Sequence, residues 1–385
     1  MPALMVREAI SPAGIDSREP ELYATPDGRV IMSWVEKIGE KRAALRFASR
    51  DGAGWSEPRT IAEGDNWFVN WADFPSVIAL KDGTLAAHWL VKSGPGTYAY
   101  DVNLALSKDG GKTWSKPIIP HTDGTQTEHG FVSLVPLADG RLGAVWVDGR
   151  ALKDIKVDED AGPLPVSMAL RFAAIDTQGK VSDEAVLDER ICECCQTSAA
   201  MTAEGAIAAY RDRSESEVRD IYVVRQENGK WSVPQPVHAD GWEMTACPVN
   251  GPSIAADGQR VAVAWYTEAN DQPRVKMAFS NDAGKSFGNP VQVDDGDPVG
   301  RVDVLLLVDG SALVVWMSGT AEKGATKVRR VRSDGTLDAI STVTETNIAR
   351  SSGFPRIARL GNEVLFAWTQ FGKPSRVSTA IARLE

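Results

Sequence analysis

The chain has 385 residues, 43% hydrophobic and 24% charged, a globular balance that excludes disorder of the bulk. Its longest apolar runs, within 303–308 and 312–317, are short and broken by turn residues, far below the ~18 residues of a membrane span. With 42 basic residues against 52 acidic, a net charge of −10 and no Lys/Arg block to track phosphates, nucleic acid is excluded as an expected partner.

Along the chain one phrase recurs: a short apolar stretch, a tight turn with Asp-Gly or its equivalent, then a β-rich run ending in an aromatic. The first copy, ELYATPDGRVIMSW, ends at Trp34 and is followed by a strand pattern over 42–49 and another near Thr60. The second, PSVIALKDGTLAAHW, ends at Trp89, with strands over 102–107 and near Ile118. The third ends at Trp146. The fourth ends at Tyr210, with strands over 221–225 and near Val237, and the fifth at Trp265, with strands over 275–280 and near Val291. The sixth and seventh end at Trp316 and Trp368, and the last runs out after three strands. Successive aromatics are 55, 57, 64, 55, 51 and 52 residues apart, too regular for chance.

Each copy carries the alternation and turn of a β-hairpin, and long helical patterns are absent. Four strands repeated at a period in the fifties describe a propeller blade, in which radial repetition leaves only short protected edges. The expectation is an all-β fold, a seven-bladed β-propeller with four-stranded blades, forming one domain over 1–385. Residues 5–10 would supply the outer strand that the seventh blade lacks.

Several third strands lead into a local motif. Ser107-Lys-Asp109-Gly-Gly111-Lys-Thr113-Trp114 fits S-x-D-x-G-x-T-W, Ser280 to Phe287 nearly fits it, and Ser49 to Trp55 is one residue short. An Asp accepts from its own turn's amides, Gly takes the positive φ and the aromatic packs over the blade, which is a structural role. These motifs resemble the Asp-boxes of the sialidase superfamily, and with degenerate copies the resemblance covers nearly the whole chain. It implies a BNR-repeat propeller. Sialidases have six blades, so a six-bladed ring is the alternative, and seven phrases set this chain apart as a non-sialidase member.

In a propeller the loop entering each innermost strand lies at one mouth of the central channel. Counting back 15 to 18 positions from each aromatic predicts a ring of Arg18, Asp73, Glu128 with His129, the Cys192, Cys194 and Cys195 cluster, Cys247, Arg301 and Arg350. All four cysteines fall into it. His129, the cluster and Cys247 belong to three consecutive blades, hence to neighbours in space.

Three readings of the cysteines stay open. In an oxidising compartment Cys247 could bridge to one of the other three, although local bridges within Cys192-Glu193-Cys194-Cys195 are strained. Alternatively, thiolates of Cys192, Cys194, Cys195 and Cys247, with His129 as an imidazole ligand and Glu128 or Glu193 in support, would hold a soft ion: copper as Cu(I), or zinc as the alternative. The third is a reactive thiol beside Arg18 or Arg301. The metal site is the preferred reading, with copper trafficking, electron transfer or oxidation left open. His88 is expected to be packed, and His121 and His238 to be ordinary loop or outer-strand residues.

The sialidase resemblance also implies an exo-glycoside hydrolase acting on acidic sugars, with an arginine group gripping the substrate carboxylate, a Tyr/Glu nucleophile pair and an aspartic acid. Arg18-Glu19-Pro20 occupies the place of the family's first-blade Arg-Ile-Pro. Arg301 and Arg350 are further carboxylate partners on this reading, Tyr266 with Glu268 the nucleophile pair and Asp73 the acid. The charged run from Tyr210-Arg211-Asp212-Arg213 to Arg219-Asp220, with Asp148 and Arg150 before it, reads as surface salt bridges. Trp67 and Trp71 read as a sugar-stacking platform or lid at the mouth. A third function is a scaffold whose face binds another protein. The resemblance implies a periplasmic or secreted location, an expectation that does not come from the opening Met1-Pro2-Ala3, which shows no basic segment leading into an apolar one.

Overall fold

The computed structural model describes residues 3–155, 166–320 and 323–384. It contains seven antiparallel sheets, and the only helical elements among the described residues are three single 3-10 turns. The first blade runs outward through Ser17–Ala24, Val30–Lys37, Ala43–Asp51 and Arg59–Gly64. The third has four strands in chain order: His129–Pro136, Leu142–Asp148, Met168–Ile175 and Val181–Ile191. The second has three strands, and its fourth position shrinks to a single bridge between Leu104 and Ile118. In the seventh, Arg356–Leu360, Glu363–Gln370 and Arg376–Arg383 are completed by Val6–Ala9, which pairs antiparallel with the third of these strands.

All seven repeat aromatics sit on the second strand of their blade and are no more than 5% exposed. Burying each such ring is worth about 2 to 3 kcal/mol, so the repeat is chiefly a packing code. Most of their polar atoms are also matched, the Trp316 indole nitrogen being the buried exception. The Trp34, Trp146 and Trp368 indoles donate to side chains two residues on, Glu36, Asp148 and Gln370, while the Tyr210 hydroxyl donates to Asp188 at 2.6 Å.

The Asp-boxes behave as local chemistry requires. Asp109 accepts from the Thr113 amide and hydroxyl at 2.9 and 2.7 Å, and the Gly111 amide donates to Ser107 Oγ. Asp282, Ser286, Gly284 and Ser280 repeat this arrangement in the fifth blade. Gly111 has φ +83°, and a Cβ there would lie 2.2 Å from Cζ of Phe47 in the first blade. The box therefore locks one blade against its neighbour.

One strand from each of the seven blades lines a central channel of about 420 Å³. At its upper end Phe74, Phe354 and Arg356 close the passage: the Arg356 guanidinium lies 4.0 Å from the Phe74 ring centre and 2.8 Å from Glu21. Above them Trp71 stacks on Phe354. The predicted ring of residues lies where the loops enter the inner strands. In the first, third and sixth blades these strands carry a bulge, and Glu19, Phe131 and Arg301 take φ of 56°, 50° and 53°. Such bulges re-aim side chains.

Candidate functional site

The loop between the third and fourth blades ends one strand at Ile191 and starts the next at Ser198, leaving six residues to carry three cysteines. Cys192 is anchored by its amide to the Arg211 carbonyl. From there the chain turns tightly enough to bring Sγ of Cys192, Cys194 and Cys195 within 4.8 Å of one another. Cys192 Sγ lies 3.3 Å from Cys195 Sγ and 3.9 Å from Cys194 Sγ. Cys247, exposed on the loop before the fifth blade, lies outside this group of three. All four are free thiols.

Three buried cations surround this group. Arg219 Nη1 donates to Cys192 Sγ at 3.2 Å and lies 3.3 Å from Glu193. Arg213 pairs with Glu193 and, at 2.7 Å, with Glu217, which also binds Arg219 at 2.9 Å. Arg211 donates to the carbonyls of Asn250, Tyr266 and Arg219. Each of these arginines is at most 2% exposed. The charged run is thus not a surface feature. It has turned inward because Glu193, Glu217, a thiol and backbone carbonyls supply the partners that a buried guanidinium requires.

Burial alone would raise the Cys192 thiol. Contacts with Cys194 and Cys195 and the Arg219 guanidinium outweigh that and hold it well below the ordinary thiol range. Burial and the neighbouring sulfurs raise Cys194 and Cys195 instead. The cluster therefore offers three sulfurs in contact, with Cys192 the most readily ionised, a soft donor set. Glu193 is raised by burial and by the Cys192 charge, against the pull of Arg213 and Arg219.

His129 does not join the cysteines. It is fully buried one blade away, with Nδ1 3.5 Å from Asp101 and Nε2 3.3 Å from Asp123, because it begins its strand pointing back toward the second blade. His121, expected to be an ordinary loop residue, is buried and stacked on it. His88 is packed as expected, beside Ser76, and His238 is partly exposed near Asp240.

Glu128 belongs to a separate acidic group that the sequence did not disclose. The Tyr100 hydroxyl donates to Glu128 at 2.8 Å and to Asp73 at 3.2 Å, and Asp73 also accepts from the Phe131 amide. Burial raises Glu128 to about 8 and Asp73 to about 7, and Glu193 adds to the shift on Glu128. Glu19, buried beside Arg18 and Asp73, is also raised to about 8. Tyr100 and Glu128 form a parallel bridge between blades, a non-local pairing with no linear signature.

Arg18, Glu19 and Trp71 line a cavity of about 360 Å³ at the mouth, rimmed by Ser351, Thr369 and Phe371. Arg301 does not present its guanidinium to that space. It donates to the carbonyls of Ile348, Ala349 and Gly353 and stacks 4.6 Å above Trp71. Arg350 sits on an exposed 3-10 turn. Tyr266 does donate to Glu268, at 3.3 Å, but burial raises its hydroxyl further from ionisation and it packs edge-on against Trp242, outside the cavity lining. Trp67 stacks on Trp89 rather than forming a platform.

Residues 39–364 match the family described as the BNR repeat-like domain. No curated protein matches the chain. Among solved structures it is similar to the polysaccharide lyase Uly1, with 11% identity, a TM-score of 0.56, and coverage of 96% of this chain and 90% of that one. A Penicillium chrysogenum α-L-arabinanase complexed with arabinobiose is 12% identical, with a TM-score of 0.50 and coverage of 99% and 97%. Trypanosoma rangeli sialidase in complex with the inhibitor DANA is 10% identical, with a TM-score of 0.50 and coverage of 86% of this chain and 57% of that one. At these identities the likeness is one of fold.

Proposed function

The chain belongs to the BNR repeat-like domain family, and we propose that within it this propeller binds a soft metal ion, copper in preference to zinc, through Cys192, Cys194, Cys195 and Cys247. The observation that carries this reading is the gathering of three sulfurs within 4.8 Å of one another, with Cys247, on the loop before the fifth blade, as the fourth donor. Two thiolates bound to one ion at about 2.3 Å stand roughly 3.8 Å apart, close to the 3.9 Å between Cys192 and Cys194. The donor set thus fits the ion.

Copper would supply one-electron redox chemistry at this site. The protein's part is to keep Cys192 ionised through Arg219, to hold Glu193 behind it with Arg213, and to leave Cys194 and Cys247 reachable from solvent. Lacking His129, the set is all sulfur, which favours Cu(I) over harder ions. A periplasmic or extracellular setting accords with the sialidase-superfamily resemblance. No helix is long and apolar enough to cross a membrane.

Metal content of protein purified without chelator, read beside a free-thiol count, tests the proposal. One equivalent of copper, lost in Cys194→Ser and Cys247→Ser with the fold retained by circular dichroism, is expected. Two disulfides and no metal would overturn it.

A second reading, hydrolysis of an acidic sugar, draws support from the cavity beside Arg18, lined by Glu19, which burial raises to about 8. Turnover of a fluorogenic sialoside that Arg18→Ala abolishes and Cys194→Ser leaves intact would establish it.

A further inference from the structure

The clustered cysteines occupy a C-x-C-C run, and the fold treats their possible pairings unequally. Glu193 and Cys194 form a tight turn, with Cys192 and Cys195 at its two ends. A turn of this kind brings its end Cα atoms to within about 7 Å. A disulfide needs about 4.4 to 6.8 Å, a span that this i, i+3 pair can meet and that adjacent or alternate cysteines meet only with strain. The sulfurs follow the backbone: Cys192 Sγ is 3.3 Å from Cys195 Sγ but 3.9 Å from Cys194 Sγ.

Both ends of the turn are pinned. The Cys192 amide donates to the Arg211 carbonyl at 3.0 Å. Just past Cys195, the Gln196 side chain donates to the Ala72 carbonyl at 2.6 Å and accepts from the Gly251 amide at 2.9 Å. A Cβ on Gly251 would lie 2.0 Å from the Gln196 carbonyl oxygen, so the loop entering the fifth blade closes directly on this backbone. Drawing the two sulfurs from 3.3 Å to the roughly 2.05 Å of a bond is then a matter of side-chain rotation on a fixed frame.

Exposure decides what can reach them. Cys192 and Cys195 are 1% and 2% exposed, whereas Cys194 is partly exposed and Cys247 exposed. A bulky oxidant such as glutathione disulfide meets only the last two. Hydrogen peroxide, little larger than water, needs only a momentary opening beside Cys194.

We propose that Cys192 and Cys195 are a redox gate on the metal site: hydrogen peroxide converts them to a disulfide, which withdraws two of the four sulfurs and releases the ion. The disulfide stands on the geometry alone; the release rests on the metal reading above. In the first step the ionised sulfur of Cys192, oriented by the Arg219 guanidinium at 3.2 Å, attacks one peroxide oxygen. The O–O bond breaks, hydroxide leaves and a sulfenic acid forms. Cys195 Sγ then attacks that sulfur, the S–O bond breaks, and the hydroxyl takes the Cys195 proton and departs as water. Two electrons pass from the sulfur pair to the peroxide. A sulfur bound in a disulfide is no longer an anionic donor, so the ion is left with Cys194 and the separate Cys247.

The test starts from metal-free, fully reduced protein. Peroxide should lower the free-thiol count from four to two, and a dithiol reductant should restore it. Thiols that survive oxidation are blocked with N-ethylmaleimide in denaturant, and the disulfide is then reduced and alkylated with iodoacetamide. Mass spectrometry should find maleimide on Cys194 and Cys247 and carbamidomethyl on Cys192 and Cys195. A Cys194→Ser, Cys247→Ser variant should form the same bridge, since neither sulfur belongs to it. Cu(I) titrated anaerobically against a chromogenic chelator should bind as one equivalent to reduced protein, be lost on oxidation and return on reduction. Maleimide on Cys192 or Cys195 after oxidation, or a bridge that includes Cys247, overturns the proposal, as does bridged protein that keeps its Cu(I). Reduced protein that binds no Cu(I) overturns the release together with the metal reading, whereas the label pattern still decides the disulfide.

Discussion

Arg219 Nη1 donates to Cys192 Sγ at 3.2 Å, joining two buried side chains 27 residues apart that lie on either side of the fourth blade's inner hairpin. The guanidinium is also shared by Glu193 and Glu217, so the thiolate is one anion among three around two arginines.

Removing this cation should raise the Cys192 thiol. In Arg219→Gln the pH midpoint of Cys192 alkylation is expected to move upward, read in a Cys194→Ser, Cys195→Ser, Cys247→Ser background. Breaking a buried charge pair should also cost about 3 to 5 kcal/mol in urea unfolding. An unchanged alkylation profile would show that Arg219 does not set the ionisation.

Two glycines with the same backbone angle separate strain from crowding. Gly28 has φ +82° and open space where a Cβ would go; Gly111 has φ +83° and the Phe47 ring there. Gly28→Ala should destabilise by about 1 kcal/mol from backbone strain. Gly111→Ala should add about 1 to 3 kcal/mol of overpacking. Equal losses in denaturant unfolding would mean that the Asp-box does not wedge the blades together.

Glu19 makes stability depend on pH in a direction opposite to most surface carboxylates. Burial raises its folded value to about 8 from 4.5, opposed by Arg18 and reinforced by Asp73. The folded state therefore holds a proton that the unfolded chain has lost, and the stabilisation this gives below pH 4.5 is lost as pH rises through 8. Between pH 6.5 and 9 the wild type should lose stability relative to Glu19→Gln, by on the order of 2 kcal/mol. His88 and His121, lowered to about 3 and 4 by burial, pull the other way below pH 6.5, so the comparison is made above it. A wild type that gains on the variant over this range would refute the assignment.

Deleting residues 1–10 removes Val6–Ala9 and strips Arg376–Arg383 of its outer partner. The melting temperature should fall, and the bared strand should drive concentration-dependent association, visible in sedimentation. Monomeric protein with unchanged melting would mean that the ring does not depend on this pairing.

The blades were legible because the repeat aromatics and Asp-boxes are local: an indole and its acceptor two residues on, or an Asp and its own turn, leave a spacing that can be counted. The positions of the cysteines at the strand entrances followed from the same count. What could not be read was which charges turn inward. Arg211, Arg213 and Arg219 look like a solvated run, and only the fold brings Glu193, Glu217 and the carbonyl of Asn250 to them. His121 lies in a loop with no repeat signal, and its partners Asp101 and His129 come from two different blades. Tyr100 was missed for the same reason, since its acids arrive from the preceding and the following loops.

Phe74, Phe354 and Arg356 pack together at the upper end of the axial channel, and the gap they share above it is only about 20 Å³, enough for a single water. The disc is therefore a cup and not a pipe. Any molecule handled at the rim must arrive and depart by that one face, and cargo cannot be relayed through the hub to something docked beneath.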